Sequence, residues 1–166
     1  MAKQKSEPKV VHNTFVVERN FPYSPEVVFD AFADPAKVRQ WFANGEMNEI
    51  VEFSADFKVG GTDRLVYRLG PATPLPGVAL ENESRYQEIV PNERIVTVST
   101  MKIGGSHISA SQITFELLPT GEGTDLVCTH QGVFLPNSGG PAMREAGWNT
   151  LLDRLVKLLS AEGVAA

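Results

Sequence analysis

Residues 141–160 read PAMREAGWNTLLDRLVKLLS, and this stretch predicts a long helix with one apolar face. Its largest apolar side chains recur at spacings of three and four residues, as one stripe of an α-helix requires: Trp148, Leu151, Leu152, Leu155 and Leu159. Upstream, from about residue 46 to residue 132, six segments alternate between apolar and polar residues, with short turns between them. The stripe of a single helix after such strands has to be buried against the sheet that they form. A sheet that curls around one helix leaves a hollow, so a site for a small apolar molecule is the first hypothesis.

The residues before these strands predict one more strand and two short helices. Residues 13–20 alternate in the same way. Ser24-Pro25-Glu26 is typical of a helix start, because serine caps free N–H groups, proline suits the first helical position and glutamate stabilises the positive end of the helix dipole. Asp34-Pro35 ends that helix and begins a second short one.

The predicted fold class is therefore α+β, with a curved antiparallel sheet of about seven strands wrapped on the long C-terminal helix. The short links between successive strands make the sheet antiparallel. The six later strands are predicted at about residues 51–59, 65–69, 78–90, 94–103, 106–118 and 124–132. Residues 1–12 are predicted to be a flexible leader, and residues 13–164 a single domain of ordinary size.

Composition narrows the class of protein and of partner. The chain has 166 residues, of which 42% are hydrophobic and 21% charged, as in soluble globular proteins. Its formal net charge of -5 argues against nucleic acid and against an anionic membrane surface, because both bind basic proteins. No apolar run approaches the ~20 residues of a membrane span, and the polar N-terminus lacks the apolar core of a signal peptide. With a single cysteine and hence no internal disulfide, the chain is predicted to be cytoplasmic.

Polar residues on inward strand positions are the most informative candidates for a site. If Leu80 faces inward, alternation turns Asn82, Ser84 and Tyr86 inward with it. A buried hydroxyl or amide costs about 1–3 kcal/mol unless it is hydrogen-bonded, so such a cluster indicates internal hydrogen bonds or a site for polar atoms. His107 lies in a serine-rich strand and could belong to a polar part of the wall or to an exposed edge. The cavity wall is predicted to contain Trp41, Tyr67, Ser84, Tyr86, His107, Met143, Trp148 and Leu152.

Metal binding and nucleophilic catalysis have weaker support. Cys128 and His130 are two residues apart on one strand and therefore face the same side, roughly 7 Å apart. Two such groups are too few for zinc, and no spacing predicts the base and orienting carboxylate of a catalytic site. No metal and no cofactor are predicted, and the catalytic residues are unknown. Gly147 lies inside the long helix, where glycine lowers helix stability by about 1 kcal/mol relative to alanine. Its presence there suggests a packing reason such as close backbone approach.

Several short motifs, in this order along the chain, resemble those of one known family. They are Ser24–Phe29, Gln40–Phe42, Phe57–Gly61, Glu88–Ile95, Gly123–Leu126, and Gly147–Asn149 with Leu152–Leu155. Together they resemble the family of the C-terminal domain of the heat-shock-protein-90 ATPase activator (AHSA-like), within the START/Bet v-like (SRPBCC) superfamily. The resemblance implies a helix-grip fold with a cavity between the sheet and the C-terminal helix. A chaperone partner is not expected, because the eukaryotic activators use a further N-terminal domain for which these residues leave no room.

Three functions follow as hypotheses. The first is the binding of a small hydrophobic or amphipathic molecule in the cavity, with a homodimer possible and neither nucleic acid nor a membrane span involved. The alternative is a cavity enzyme of the cyclase or hydrolase type that uses a tyrosine or histidine as acid or base. The third is a chaperone-associated interaction domain without a ligand. Binding is preferred because the sequence contains no complete catalytic constellation.

Overall fold

The computed structural model describes residues 9–43 and 45–162. These residues form seven strands and three helices, in the order β1 (Val11–Phe21), α1 (Pro25–Ala33), α2 (Pro35–Trp41), β2 (Glu49–Ser54), β3 (Thr62–Arg68), β4 (Ala79–Val90), β5 (Arg94–Ile103), β6 (Ser106–Pro119), β7 (Thr124–Phe134) and α3 (Gly140–Ala161). The strands make one antiparallel sheet in the order β1-β7-β6-β5-β4-β3-β2. The predicted α+β helix-grip fold is confirmed.

The three helices cover one face of the sheet. Phe115 of β6 contacts Phe32 of α1 and Trp148 of α3, with ring centroids 5.0 and 5.6 Å apart. Trp41 of α2 packs edge-on against Phe32. Strand β1 pairs with β7 at one edge, whereas β2 forms the other edge, so α1 and α2 carry the chain across the covered face. This face is the inner face of the sheet.

Helix α3 buries the predicted stripe except for Leu151, which is only half-buried. Leu152, Leu155 and Leu159 are completely buried, and α3 packs on β1 and α2. Asp153 is exposed, as expected for the opposite side of an amphipathic helix. Among the described residues, no helix is both long enough and apolar enough to cross a membrane.

The two short helices begin with different caps, and only the second is capped by a side chain. Pro25 is at the first position of α1, but the Ser24 hydroxyl makes no capping bond, and only its carbonyl accepts from Val27 and Val28. At α2, the Asp34 carboxylate accepts from the Ala36 N–H at 2.9 Å. The Asp34 side chain therefore caps α2, whereas the Ser24 side chain does not cap α1.

Several predicted strand boundaries are wrong, among them that of the strand predicted at 65–69, which is β3 at Thr62–Arg68. The strand predicted at 51–59 is β2 at Glu49–Ser54, with a bulge between Ile50 and Glu52. The residues after it form a loop held by local hydrogen bonds. The Gly61 N–H donates to the Lys58 carbonyl, and the Asp56 N–H donates to the Asp63 carboxylate. At the N-terminus, β1 starts two residues earlier than the predicted residue 13, so residues 11 and 12 are not part of a leader. Residues 1–8 of that predicted leader lie outside the described residues.

Candidate functional site

A cavity of about 420 Å³ lies between α3 and the inner face of strands β3 to β6. We call it the outer cavity. Its wall is mainly apolar and includes Leu65, Leu80, Met101, Ile103, Ile108 and Leu151. A smaller space of about 60 Å³, which we call the inner chamber, shares Phe42, Leu65, Asn82, Ser99, Ile113 and Trp148 with it. The two spaces are therefore adjacent, and the inner chamber has room for a few water molecules or a small substituent.

The structure distributes the predicted wall residues over both spaces. Tyr67, Met143 and Trp148 line the outer cavity, and Trp41, Ser84 and Tyr86 line the inner chamber together with Trp148. His107 and Leu152 line neither space. Six of the eight predicted residues are thus brought together under α3.

His107 is exposed because of a bulge between β5 and β6. Met101 pairs with Ser109 and Lys102 with His107, so Ile108 has no partner in the register. An extra residue reverses the alternation beyond it. As a result Ile108 and Ser109 are both buried, Ile108 reaches the outer cavity, and His107 faces solvent.

Leu152 is completely buried but belongs to the solid core rather than to the cavity wall. The cavity is lined by a second stripe of α3, in which Met143, Gly147, Leu151 and Arg154 recur at spacings of four, four and three. This stripe mixes apolar, small and charged residues. Met143 was predicted as a wall residue and Leu151 as part of the apolar stripe, but apolar periodicity does not indicate Gly147 or Arg154 as wall residues. A stripe of mixed polarity has no apolar periodicity that could single it out from the other faces of the helix.

Hydroxyl and amide groups meet at the boundary of the two spaces. The side-chain carbonyl of Asn82 accepts from the Ser84 hydroxyl at 3.3 Å and from the Ser99 hydroxyl at 3.4 Å. The side chains of Asn82 and Ser84 face inward as predicted. This orientation brings these groups together across β4 and β5. Both hydrogen bonds are long, so the groups can still bond to another polar atom in the chamber.

A carboxylate and a phenol share the far side of the inner chamber. Tyr86 donates to Asp63 Oδ2, and Asp63 Oδ1 accepts from the Asp56 N–H at 2.9 Å. Burial raises the pKa of the Asp63 carboxyl, and burial together with this carboxylate raises the pKa of Tyr86. Asp63 was not predicted as a site residue. It precedes Leu65 by two positions on β3, so strand alternation alone could have placed it on the inner face.

Tyr67 closes another part of the outer cavity. Its hydroxyl donates to the Phe42 carbonyl at 3.2 Å, which ties β3 to the end of α2. Burial raises the pKa of Tyr67, and the positive charge of Arg154 partly opposes that rise. The phenol is therefore protonated at neutral pH and can act as a hydrogen-bond donor.

Cys128 and His130 are core residues outside both spaces. The His130 ring stacks on Phe15, with centroids 4.6 Å apart, and also packs against Phe134. Neither of its ring nitrogens has a hydrogen-bond partner within the described part of the chain. Burial and the nearby Arg144 charge lower the pKa of His130 to about 4, and burial raises the pKa of Cys128 to about 12. At neutral pH the pair is an uncharged imidazole and an unreactive thiol.

Arg144 was not predicted as a site residue, but it projects from α3 into the wall of the outer cavity. Its Nη2 donates to the Ser109 hydroxyl at 2.8 Å, and its guanidinium lies over the Phe134 ring at 5.4 Å. Burial lowers the pKa of Arg144 to about 10, so the side chain remains charged at neutral pH. In residues 9–43 and 45–162, no three or more His, Cys, Asp and Glu residues cluster as metal ligands would.

A curved sheet gripping a long helix, with a cavity between them, defines a protein of the START/Bet v-like class. Residues 22–160 match the model of the family described as "Activator of Hsp90 ATPase homolog 1-like protein", and the chain belongs to this family. The resemblance inferred from the motifs is thereby confirmed. The comparison with curated proteins found no match.

Solved structures of similar proteins share this fold. An uncharacterized protein from Rhizobium leguminosarum is 33% identical, with a TM-score of 0.84 over 92% of this chain and 97% of that one. A protein from Rhizobium loti is 41% identical, with a TM-score of 0.80 over 89% and 97% of the two chains. A protein from Chromobacterium violaceum is 27% identical, with a TM-score of 0.70 over 89% and 97%.

Proposed function

We propose that this protein binds a small, largely apolar molecule in the outer cavity, with the inner chamber accepting a polar substituent. The observation that carries the proposal is the volume of about 420 Å³ lined mainly by apolar side chains. The space is concave and partly open to solvent, so a small molecule can reach it from outside. A few placed polar groups in an otherwise apolar wall are typical of small-molecule sites.

The alternative of a cavity enzyme with a tyrosine or histidine acid or base has less support. An efficient acid–base group has a pKa near the working pH. The pKa values of Tyr67 and Tyr86 are both raised from a starting value of 10.0, whereas that of His130 is lowered to about 4. His107 is exposed and outside the cavity. These groups are better suited to donating or accepting hydrogen bonds than to moving protons.

The family description raises the third hypothesis, a role beside a chaperone. The formal net charge of -5 works against docking on an acidic partner surface. A ligand is therefore the preferred partner, and a chaperone is the less favoured one.

Filling the cavity tests the proposal. Leu80 faces the outer cavity from β4, whereas Glu83 is exposed on the opposite face of the same strand. Leu80→Trp should therefore occupy ligand space, and Glu83→Trp provides the same side chain outside it. The probe is N-phenyl-1-naphthylamine, an uncharged dye whose fluorescence rises in apolar surroundings. We expect Leu80→Trp to weaken dye binding at least about tenfold, the effect of losing roughly 1.4 kcal/mol of contact, while Glu83→Trp binds like the wild type.

Thermal melts of both variants establish that they are folded. Equal dye affinity for the wild type and folded Leu80→Trp, or no dye binding by the wild type, would contradict the proposal.

A further inference from the structure

The charge of Arg144 is poorly matched by the protein around it. A guanidinium carries five N–H donors. Within the described residues, its one hydrogen bond goes to the neutral Ser109 hydroxyl. The guanidinium also lies over the face of the Phe134 ring and near the uncharged His130. Arg19, Arg64 and Arg94 each pair with at least one carboxylate, whereas Arg144 takes part in none of the ion pairs of residues 9–43 and 45–162.

The cavity wall carries positive charge in a protein that is negative as a whole. Arg144 and Arg154 both line the outer cavity, and its described lining contains no aspartate or glutamate. The formal net charge of the chain is -5. Asp63 faces the adjacent inner chamber, but its two oxygens are bonded to Tyr86 and to the Asp56 N–H. The carboxylate of the inner chamber is therefore committed to other partners.

Partial burial of an arginine without a counter-charge is unfavourable. Removing a cation from water has a large desolvation penalty, which an opposite charge and hydrogen bonds must offset. The lowered pKa of Arg144 has this burial as its cause. The guanidinium also lies in a wall where Ile108 and Trp148 supply apolar surface. A group that brings a negative charge and two hydrogen-bond acceptors would satisfy Arg144 there.

From this geometry, and resting on the function proposed above, we infer that the ligand is an amphipathic anion whose carboxylate or phosphate group binds Arg144. The planar guanidinium can donate two parallel hydrogen bonds to either group. The apolar part of the ligand lies along Met101, Ile103 and Leu151. Arg154 adds a second positive charge to the wall and disfavours cationic ligands.

Competition between ligands of equal chain length tests this inference. Decanoate, decyl phosphate and 1-decanol displace N-phenyl-1-naphthylamine from the protein at pH 7.5. Hydrogen bonds to charged groups are stronger than those between neutral groups, so at least one of the two anions should bind at least about tenfold more tightly than decanol to the wild type. The anion with the higher affinity identifies the head group.

Arg144→Met keeps the length of the side chain and removes its charge. We expect it to reduce the preference for the anion over decanol to about one. Arg144→Lys keeps the charge without the planar fork, and an intermediate preference is expected. Arg68→Met is the matched control, because Arg68 is exposed on β3 and does not line the cavity. It should keep the full preference.

Two results distinguish failure of this inference from failure of the proposed function. If the wild type binds the dye and decanol but shows no preference for either anion, or if folded Arg144→Met keeps that preference, the role of Arg144 is wrong and the proposed function stands. If the wild type binds none of the four compounds, the proposed function fails and the inference fails with it.

Discussion

Gly147 shows how a single residue can serve a cavity rather than the core. It lies in the middle of α3, is exposed, and a methyl group added there would meet no atom within 4 Å. The close backbone approach suggested by the sequence is therefore wrong. The residue instead faces the open space of the outer cavity.

Gly147→Ala should stabilise the protein, because alanine favours a helix interior by about 0.8–1 kcal/mol over glycine and no clash opposes it. Urea unfolding of the variant and the wild type measures the difference. The same methyl group narrows the outer cavity, so dye binding should weaken or stay unchanged while stability rises. A lower free energy of unfolding for Gly147→Ala would contradict this account of the position.

His130 should make stability depend on pH. Its pKa is about 4 in the folded protein against 6.5 in the reference state, because the buried ring is held neutral. The unfolded chain then binds the proton more readily than the folded one. The stabilisation is fully present above about pH 6.5 and is lost as the pH falls towards 4, by about 2–3 kcal/mol.

His130→Phe isolates this contribution, since a phenyl ring can stack between Phe15 and Phe134 without a proton to bind. Denaturant unfolding at pH 7 and pH 4.5 gives the loss of stability for each protein. The loss should be smaller by about 2 kcal/mol in the variant. Carboxylates also lose stabilising charge at low pH, but they do so equally in both proteins, so their effect cancels in the comparison. Identical losses would mean that His130 binds a proton at pH 4.5 as readily in the folded protein as in the unfolded chain.

At the scale of single elements, helix α3 holds the sheet through its buried stripe. Leu155 is completely buried in the core cluster, whereas Lys157 is exposed on the same helix. Leu155→Ala should lower the free energy of unfolding by about 2–5 kcal/mol, the usual effect of emptying a core site. Lys157→Ala should change it by less than about 0.5 kcal/mol. Denaturant melts measure both, and a loss below ~1 kcal/mol for Leu155→Ala would show that α3 does not anchor the sheet.

Elements with one buried face could be predicted well from the sequence. The stripe containing Leu155 and the alternation around Asn82 and Ser84 both reflect direct burial against a neighbour, and the structure places them as expected. Bulges could not be predicted in this way. The register shift next to Met101 depends on how β5 and β6 pair, which no periodicity within one strand records, and it is the reason that His107 was misplaced.

The polar part of the site was only partly predictable for a related reason. Tyr86 was selected because its strand neighbours indicated an inward direction, but its partner Asp63 comes from another strand. Arg144 and Ser109 meet only because α3 crosses β6. Charged residues on a helix are ordinarily solvated, so their spacing alone does not single out one that lines a cavity.

On the scale of the whole molecule, the fold divides α3 between two tasks. One stripe, with Leu152 and Leu159, closes the solid core, and the adjacent stripe, with Gly147 and Arg154, faces the outer cavity. A ligand that fills the cavity would therefore join α3 to the sheet through new contacts, and its binding energy would add to the stability of the folded state.

Ligand binding should consequently raise the melting temperature. At a free concentration of about one hundred times its dissociation constant, a ligand that binds only the folded state adds about 2.7 kcal/mol. For a chain of this size, each kcal/mol raises the melting temperature by about 2–4 °C, so a shift of roughly 5–10 °C is expected. Calorimetry with whichever of decanoate, decyl phosphate and 1-decanol binds most tightly measures the shift. Glu83→Trp should shift like the wild type, and Leu80→Trp should shift much less because its cavity is filled. An equal shift in all three proteins would mean that the compound acts on the surface and not in the cavity.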